Sequence, residues 1–183
     1  ASYFLVKPTR YAILFWSPKY LSEVLGTSMG ESALISACFA LGGPAGMIIS
    51  GYISDHFTRG RRVPVMLVSL VILAVLLFFF KDIAQYQSQL YFAIILFWIG
   101  FLIYIPDVML SGTAAVDFGG RRSGWAAGFT NGLGSLGAIM GGALPGIVSD
   151  RWGWDILFIG MSVSLFFSAV LLVPLWNATP KKE

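Results

Sequence analysis

Two cations and one carboxylate stand inside stretches that are otherwise apolar and aromatic. Lys7 and Arg10 are three residues apart, hence on one helix face, within the run from Ala1 to Trp16. Asp107 follows Pro106 in a second run, FAIILFWIGFLIYIPDVML. A charge buried in such a run is costly, so it faces a protein interior or a watery cavity and takes a partner of opposite sign. The planar fork of arginine matches the oxygens of a phosphate or carboxylate. The chemistry on offer is therefore recognition of an anion. Lys7 admits a second reading, in which its side chain only snorkels to the membrane surface. Asp107 admits three: an ion pair with Lys7 or Arg10, which ranks first, a proton carrier, or the mark of a helix break at Pro106.

The elements that must position these residues are membrane helices. The 183 residues are 57% hydrophobic and 11% charged, with a mean hydropathy of +0.79. A soluble domain carries about 25% charged residues, so this is the composition of a multi-pass membrane protein. A spanning helix needs about 20 apolar residues. Six candidates emerge at residues 1–16, 32–53, 63–80, 91–112, 124–148 and 156–176. The fold class expected is all-α, a polytopic bundle lying in the lipid bilayer. Short connections suggest that sequential helices are antiparallel neighbours. The first residues do not read as a signal peptide, having no basic leader followed by a short apolar core.

Arg59, Arg61, Arg62, Arg121, Arg122, Lys181 and Lys182 collect on one side of this scheme, against Lys19, Lys81 and Arg151 on the other. By the bias of basic residues toward the cytoplasm, the first set faces inward. The net charge of +3 comes from these short clusters rather than a basic face, which argues against nucleic acid as a partner. One cysteine (Cys38) and one histidine (His56) exclude a disulfide framework and an ordinary Cys/His metal site. His56 reads as a surface residue. GGRRSG, from Gly119 to Gly124, lacks the spacing of a phosphate-cradling loop, and no nucleophile–base pair stands out. An enzyme is not expected, and neither a catalytic residue, a metal nor a cofactor is assigned.

Glycines recur at intervals of four, at Gly124, Gly128 and Gly132 and again at Gly137 and Gly141. That spacing lines one helix face with hydrogen and lets a neighbouring backbone approach closely. It serves static packing or, with a kink at Pro44 in the similar patch Gly42, Gly43 and Gly46, a rocking motion. An internal echo accompanies it: Gly51-Tyr-Ile-Ser-Asp55 ends the second run and Gly146-Ile-Val-Ser-Asp150 ends the fifth. Helices two and five of such a bundle run in opposite directions, which is what a three-helix repeat used twice in inverted orientation would give.

The stretch from Gly51 through Asp55, His56, Arg59 and Gly60 to Arg61 and Arg62 resembles the acidic-then-basic loop of the major facilitator superfamily, with two extra residues before Gly60. Asp55 at a helix end can hold a cation or a neighbouring helix N-terminus, so the loop reads as a gate latch or, more plainly, as a solvated turn. The run RYAILFWSPKYL from Arg10 to Leu21 is similar to the seventh helix of the organophosphate:phosphate antiporter family. SDHFTRGRR, GFLIYIP, AAGFTNGLGSLG and DRWGWD match the same family in its order.

The resemblance implies that this chain is the C-terminal six-helix half of a twelve-helix carrier, its N-terminal half lying elsewhere. It implies secondary antiport of an organophosphate against inorganic phosphate, with a small anionic substrate and, as location, a bacterial inner membrane. By position, Arg10 matches the arginine that binds the substrate phosphate, and Tyr104 a tyrosine lining the same cavity. Lys7 and Ser135 stand where the family's best-known member has cavity tyrosines, and Asp107 has no acidic counterpart there. Asn131 and Ser135, one helical turn apart, are positioned to replace the lost hydrogen bonds. Two alternatives remain: a carrier of another organic anion, proton-coupled through Asp107, or a transporter-like membrane sensor of sugar phosphates.

Overall fold

The structure, a computed structural model, describes residues 1–80, 82, 86, 88–113 and 122–178. Lys81, Arg121, Lys181 and Lys182, used above for orientation, lie outside the described residues, as do Gly119 and Gly120. Within them there are six long helices and no strand: α1 (Ser2–Leu25), α2 (Met29–His56), α3 (Arg62–Phe78), α4 (Gln89–Val108), α5 (Ser123–Trp152) and α6 (Trp154–Leu172). A π-helical turn, Met109–Thr113, follows α4, and a 3-10 turn, Val173–Leu175, follows α6.

Helices α1, α2 and α5 run past the apolar limits predicted for them, whereas α3 ends at Phe78 and α6 at Leu172, short of theirs. Helix α1 does not stop at Trp16 but passes Pro18 and ends at Gly26, whose φ of 64° is the left-handed cap that glycine supplies without penalty. Pro8 and Pro18 sit inside it, and the Phe4 carbonyl that Pro8 frees lies against Gly137 of α5. Helix α2 starts before Ser32 through a reciprocal cap: the Glu31 N–H donates to Ser28 Oγ at 3.3 Å and the Ser28 N–H donates to Glu31 Oε2 at 3.1 Å. Helices α5 and α6 absorb most of the polar segment between their apolar runs. They meet at Gly153, whose φ of 84° turns the chain in a single residue. Polarity limited the apolar runs, but hydrogen bonding limits helices.

Three stretches are long and apolar enough to cross a membrane: Met29–His56, Gln89–Gly112 and Ser123–Leu175, the last containing both α5 and α6. Helix α3 is a shorter apolar helix, and α1 carries four charged residues, Lys7, Arg10, Lys19 and Glu23. Large apolar side chains such as Trp125, Phe129, Phe166 and Phe167 are more than half exposed, as suits helices solvated by lipid.

Packing does not follow chain order. The most extensive contacts pair α2 with α4, α1 with α5 and α3 with α6, while sequential α2 and α3 barely touch. Sequential helices are neighbours at α1–α2, α3–α4 and α5–α6, but they are not the most closely packed pairs. For the α2–α4 and α1–α5 pairs the physical reason is glycine. A Cβ on Gly42 or Gly46 of α2 would run into the backbone of Phe97 or Phe101 of α4, and one on Gly100 into the Phe39 carbonyl. On α5, a Cβ on Gly137 would meet the Phe4 carbonyl and one on Gly141 the Pro8 carbonyl of α1. Backbones that approach this closely gain the dispersion contacts that drive association in lipid, where apolar burial alone gives little.

The stripe is shifted from the one the spacing suggested. Gly124, Gly128 and Gly132 have no described atom within 4 Å of where a Cβ would stand, whereas Gly134, Gly137, Gly141 and Gly146 all face α1. A period of four recurs on any helix face and cannot say which one a neighbour covers.

Candidate functional site

Helices α1 and α4 bring the intramembrane charges together. Arg10 Nη1 donates a hydrogen bond to Asp107 Oδ2 at 2.5 Å, and Lys7 Nζ stands 3.7 Å from Asp107 Oδ1. Asp107 is only 7% exposed. The Arg10 guanidinium also lies over the Tyr104 ring, 4.2 Å from its centroid, within range of a cation–π attraction. Lys7, Arg10, Tyr104 and Asp107 thus form one cluster, the ion pair named first for Asp107 being the contact observed. Lys7 does not reach for the surface. Its ammonium lies 4.9 Å from the centre of the Tyr3 ring and 5.3 Å from that of Tyr11.

Local sequence explains the arrangement. Tyr3, Lys7 and Tyr11 are spaced by four and stack along one face of α1. Tyr104 and Asp107, three apart, share a face of α4. Phe39 of α2 packs on Tyr104 with ring centroids 5.9 Å apart, and the flat face of the same ring lies against Gly43. On the other side, Gly134 and Gly137 of α5 leave room for the Lys7 side chain. Directly after Asp107 the helix widens into the π turn Met109–Thr113, a distortion common at functional sites.

Among the described residues two buried polar atoms of the cluster have no hydrogen-bond partner: Arg10 Nε, a donor, and Asp107 Oδ1, an acceptor. Two positive charges face one negative charge, so the cluster retains one unit of positive charge. It can recognise an anion. Among the described residues no group of three His, Cys, Asp or Glu could hold a metal ion.

Asn131 and Ser135 are not in contact with the charges. Asn131 Nδ2 donates to the Ser111 carbonyl in the π turn at 3.1 Å, and Ser135 Oγ donates back to the Asn131 carbonyl at 2.9 Å. Both are exposed. The sequence reading missed Tyr3 and Tyr11, although their spacing from Lys7 was the available signal. A groove of about 320 Å³ between α1, α5 and α6 is lined largely by apolar side chains, and the charged cluster does not open into it.

The loop after α2 is tightly organised at one end of the bundle. Arg62 Nη1 donates to Asp55 Oδ1 at 2.9 Å, and Arg61 Nη1 donates to Asn177 Oδ1, beyond α6, at 3.2 Å. Thr58 Oγ1 is 2.6 Å from the Arg61 carbonyl and 2.8 Å from that of Ser54. Arg59, at φ 55°, and Gly60, at φ 78°, make the turn with two successive left-handed residues. Gly51 lies in open space before it, and His56 stacks on Tyr52, exposed. At the opposite end Lys19 joins Asp150 at 3.0 Å, and Trp154 Nε1 donates to Glu23 Oε2 at 2.6 Å.

An all-helical bundle, apolar outside and holding a buried charge cluster between α1 and α4, is the architecture of a polytopic membrane protein. The family model of the Major Facilitator Superfamily matches residues 1–183, and the chain belongs to that superfamily. It is 35% identical to the glycerol-3-phosphate transporter of Bacillus subtilis over 95% of its own length and 39% of the transporter's. It is 32% identical to a probable hexose phosphate transport protein of Chlamydia pneumoniae, covering 99% of this chain and 40% of that protein. The membrane sensor protein UhpC of Escherichia coli is 32% identical over 99% of the chain and 41% of its own length. The chain therefore spans about two fifths of the relatives it matches, and its kinship is with membrane transport proteins rather than enzymes.

Proposed function

We propose that residues 1–183 are the C-terminal six-helix half of a secondary transporter that exchanges an organophosphate, a sugar or glycerol phosphate, for inorganic phosphate. The observation that carries this reading is the buried Lys7–Arg10–Asp107 cluster, which retains one positive charge between two helices of a lipid-facing bundle. A buried excess charge calls for an anion, and the printed functions of the relatives supply its chemistry. Arg10 gives charge-assisted hydrogen bonds to the phosphate group, Lys7 adds a second cation, and Tyr104 holds the guanidinium plane. Asn131 and Ser135 extend the polar lining toward the rest of the substrate.

Two three-helix repeats suit the packing. A shift of 95 residues carries Gly42, Gly46, Gly51 and Asp55 onto Gly137, Gly141, Gly146 and Asp150. In each copy the first two glycines press on a neighbouring helix, α4 for one and α1 for the other. Alternating access then rocks this half against the six-helix half that completes the carrier, around a site near the midplane. The Asp55–Arg62 loop acts as a latch at one end, on the cytoplasmic side of a bacterial inner membrane.

The test is exchange in vesicles containing the full-length protein and loaded with phosphate. Arg10→Lys keeps the charge but loses the fork, and exchange should fall at least tenfold. Exchange near the wild-type rate would remove Arg10 from the site. Uptake driven by a proton gradient without internal phosphate would instead favour a proton-coupled anion carrier. The match to UhpC favours a second reading, a sensor of sugar phosphates, for which saturable binding without flux is the sign.

A further inference from the structure

Asp107 is an odd neighbour for a phosphate group, because a carboxylate repels one. The two unpartnered atoms show how both fit. Among the described residues Arg10 Nε has no hydrogen-bond acceptor, and Asp107 Oδ1 has only the Lys7 ammonium at 3.7 Å, beyond hydrogen-bond reach, both atoms being buried in one cluster. A fully ionised phosphate offers acceptors only and answers the first. A singly protonated phosphate answers both, since its negative oxygens accept from Arg10 and its P–OH donates to a carboxylate. The charge agrees: Lys7 and Arg10 against Asp107 leave a single positive charge, which one monoanion neutralises. Resting on the organophosphate reading above, we infer that Asp107 makes this site selective for the singly protonated, monoanionic form of a phosphate group, whether free phosphate or an ester, by accepting its P–OH hydrogen bond.

The groups that face Asp107 leave this assignment uncontested. Helix α1 presents Lys7 and Arg10, with Tyr3 and Tyr11 around Lys7. Helix α4 itself adds Tyr104, covered by Phe39 and Gly43 of α2. Helix α5 contributes Gly134 and Gly137 beside Lys7, and Asn131 through Ser111. Phenols, ammonium and guanidinium groups as types do not titrate between about pH 6 and 8. The substrate does, since a phosphate monoester loses its second proton near about pH 6.

The experiment is equilibrium binding of glycerol 3-phosphate to the purified full-length protein. Between about pH 6 and 8 the monoanion falls from about one half to about one hundredth of such an ester, so wild-type Kd should weaken about 50-fold. Asp107→Asn should flatten that dependence to about threefold or less, or reverse it, because the amide no longer repels the dianion and adds a donor. A sulfate monoester, a permanent monoanion without the acidic hydroxyl, should bind the wild type at least about tenfold more weakly than the phosphate ester at about pH 6. A wild-type Kd that is flat or tightens with pH, a sulfate ester that binds as well, or an Asp107→Asn protein that keeps the wild-type slope would each overturn the inference. The wild-type measurements decide even if the variant fails to fold. Loss of binding at every pH in an Arg10→Gln protein that is still folded at the assay temperature by its thermal midpoint would uphold the phosphate site whatever the slope, whereas binding untouched by it would overturn that site and this inference with it.

Discussion

Among the described residues two arginine–aspartate pairs of identical chemistry stand in different surroundings. Arg10 and Asp107 come from helices 97 residues apart in sequence, with side chains 17% and 10% exposed. Arg62 and Asp55 are seven residues apart across one turn, and the Asp55 side chain is 59% exposed. The first pair is shut into the bundle with an aromatic ring over the cation, so breaking it leaves buried Asp107 with Lys7 alone at 3.7 Å. The second is open on one side: the Arg62 side chain is 18% exposed, but Asp55 stands in solvent and is hydrated when the contact opens. A pair that is easily made and broken suits a latch, and a buried pair suits a site whose opening must be driven by an incoming anion.

The largest effect should come from breaking the buried pair. Arg10→Gln leaves Asp107 neutralised only by Lys7 at 3.7 Å and should cost about 2–3 kcal/mol, the worth of a lost hydrogen bond between charged groups. Thermal unfolding in detergent should show a markedly lower midpoint, and exchange should disappear. An unchanged midpoint would mean that water reaches Asp107 freely and the contrast collapses. Next in size is Gly141→Ala, whose new methyl would press on the Pro8 carbonyl of α1. Overpacking of this kind costs about 1–3 kcal/mol, and the separation of α1 from α5 would reach Lys7 and Arg10 from behind. A stable variant with normal exchange would show that the α1–α5 contact yields more readily than its geometry implies.

At the exposed end the effects should be smaller. Arg59→Gly removes a left-handed non-glycine residue, φ 55°, and should stabilise the protein by about 1 kcal/mol, read as a raised midpoint with binding unaltered. Asp55→Asn should change stability by less than about 1 kcal/mol, with a difference that shrinks as salt is added. If the loop is a latch, the same variant alters exchange rate while KM for phosphate stays within about twofold. A destabilisation comparable to that of Arg10→Gln would erase the distinction between the two pairs.

Much of this was readable along the chain. Long apolar runs point to membrane helices because lipid offers the backbone no hydrogen bonds, and charges inside such runs announce a site because they are costly there. Helix ends were less legible. Pro18 lies inside α1 and Asp150 inside α5, because membrane neighbours and local hydrogen bonds tolerate what a hydropathy rule takes for a break. The glycine repeat pointed to Gly124, Gly128 and Gly132 on equal terms with Gly137 and Gly141, but only the latter face α1.

The sequence by itself determined the class of solvent, the all-helical class and the identity of the charges that had to find partners, since each follows from transfer free energies that act residue by residue. The tertiary structure alone decided that α1 packs on α5 and α2 on α4. It decided that Asp107 lies against Arg10 and Lys7 while Asn131 turns to Ser111, and that one donor and one acceptor are left open between them. Those outcomes depend on which faces of rigid helices meet, and a pattern that repeats around a cylinder cannot specify that until a second cylinder is laid against it.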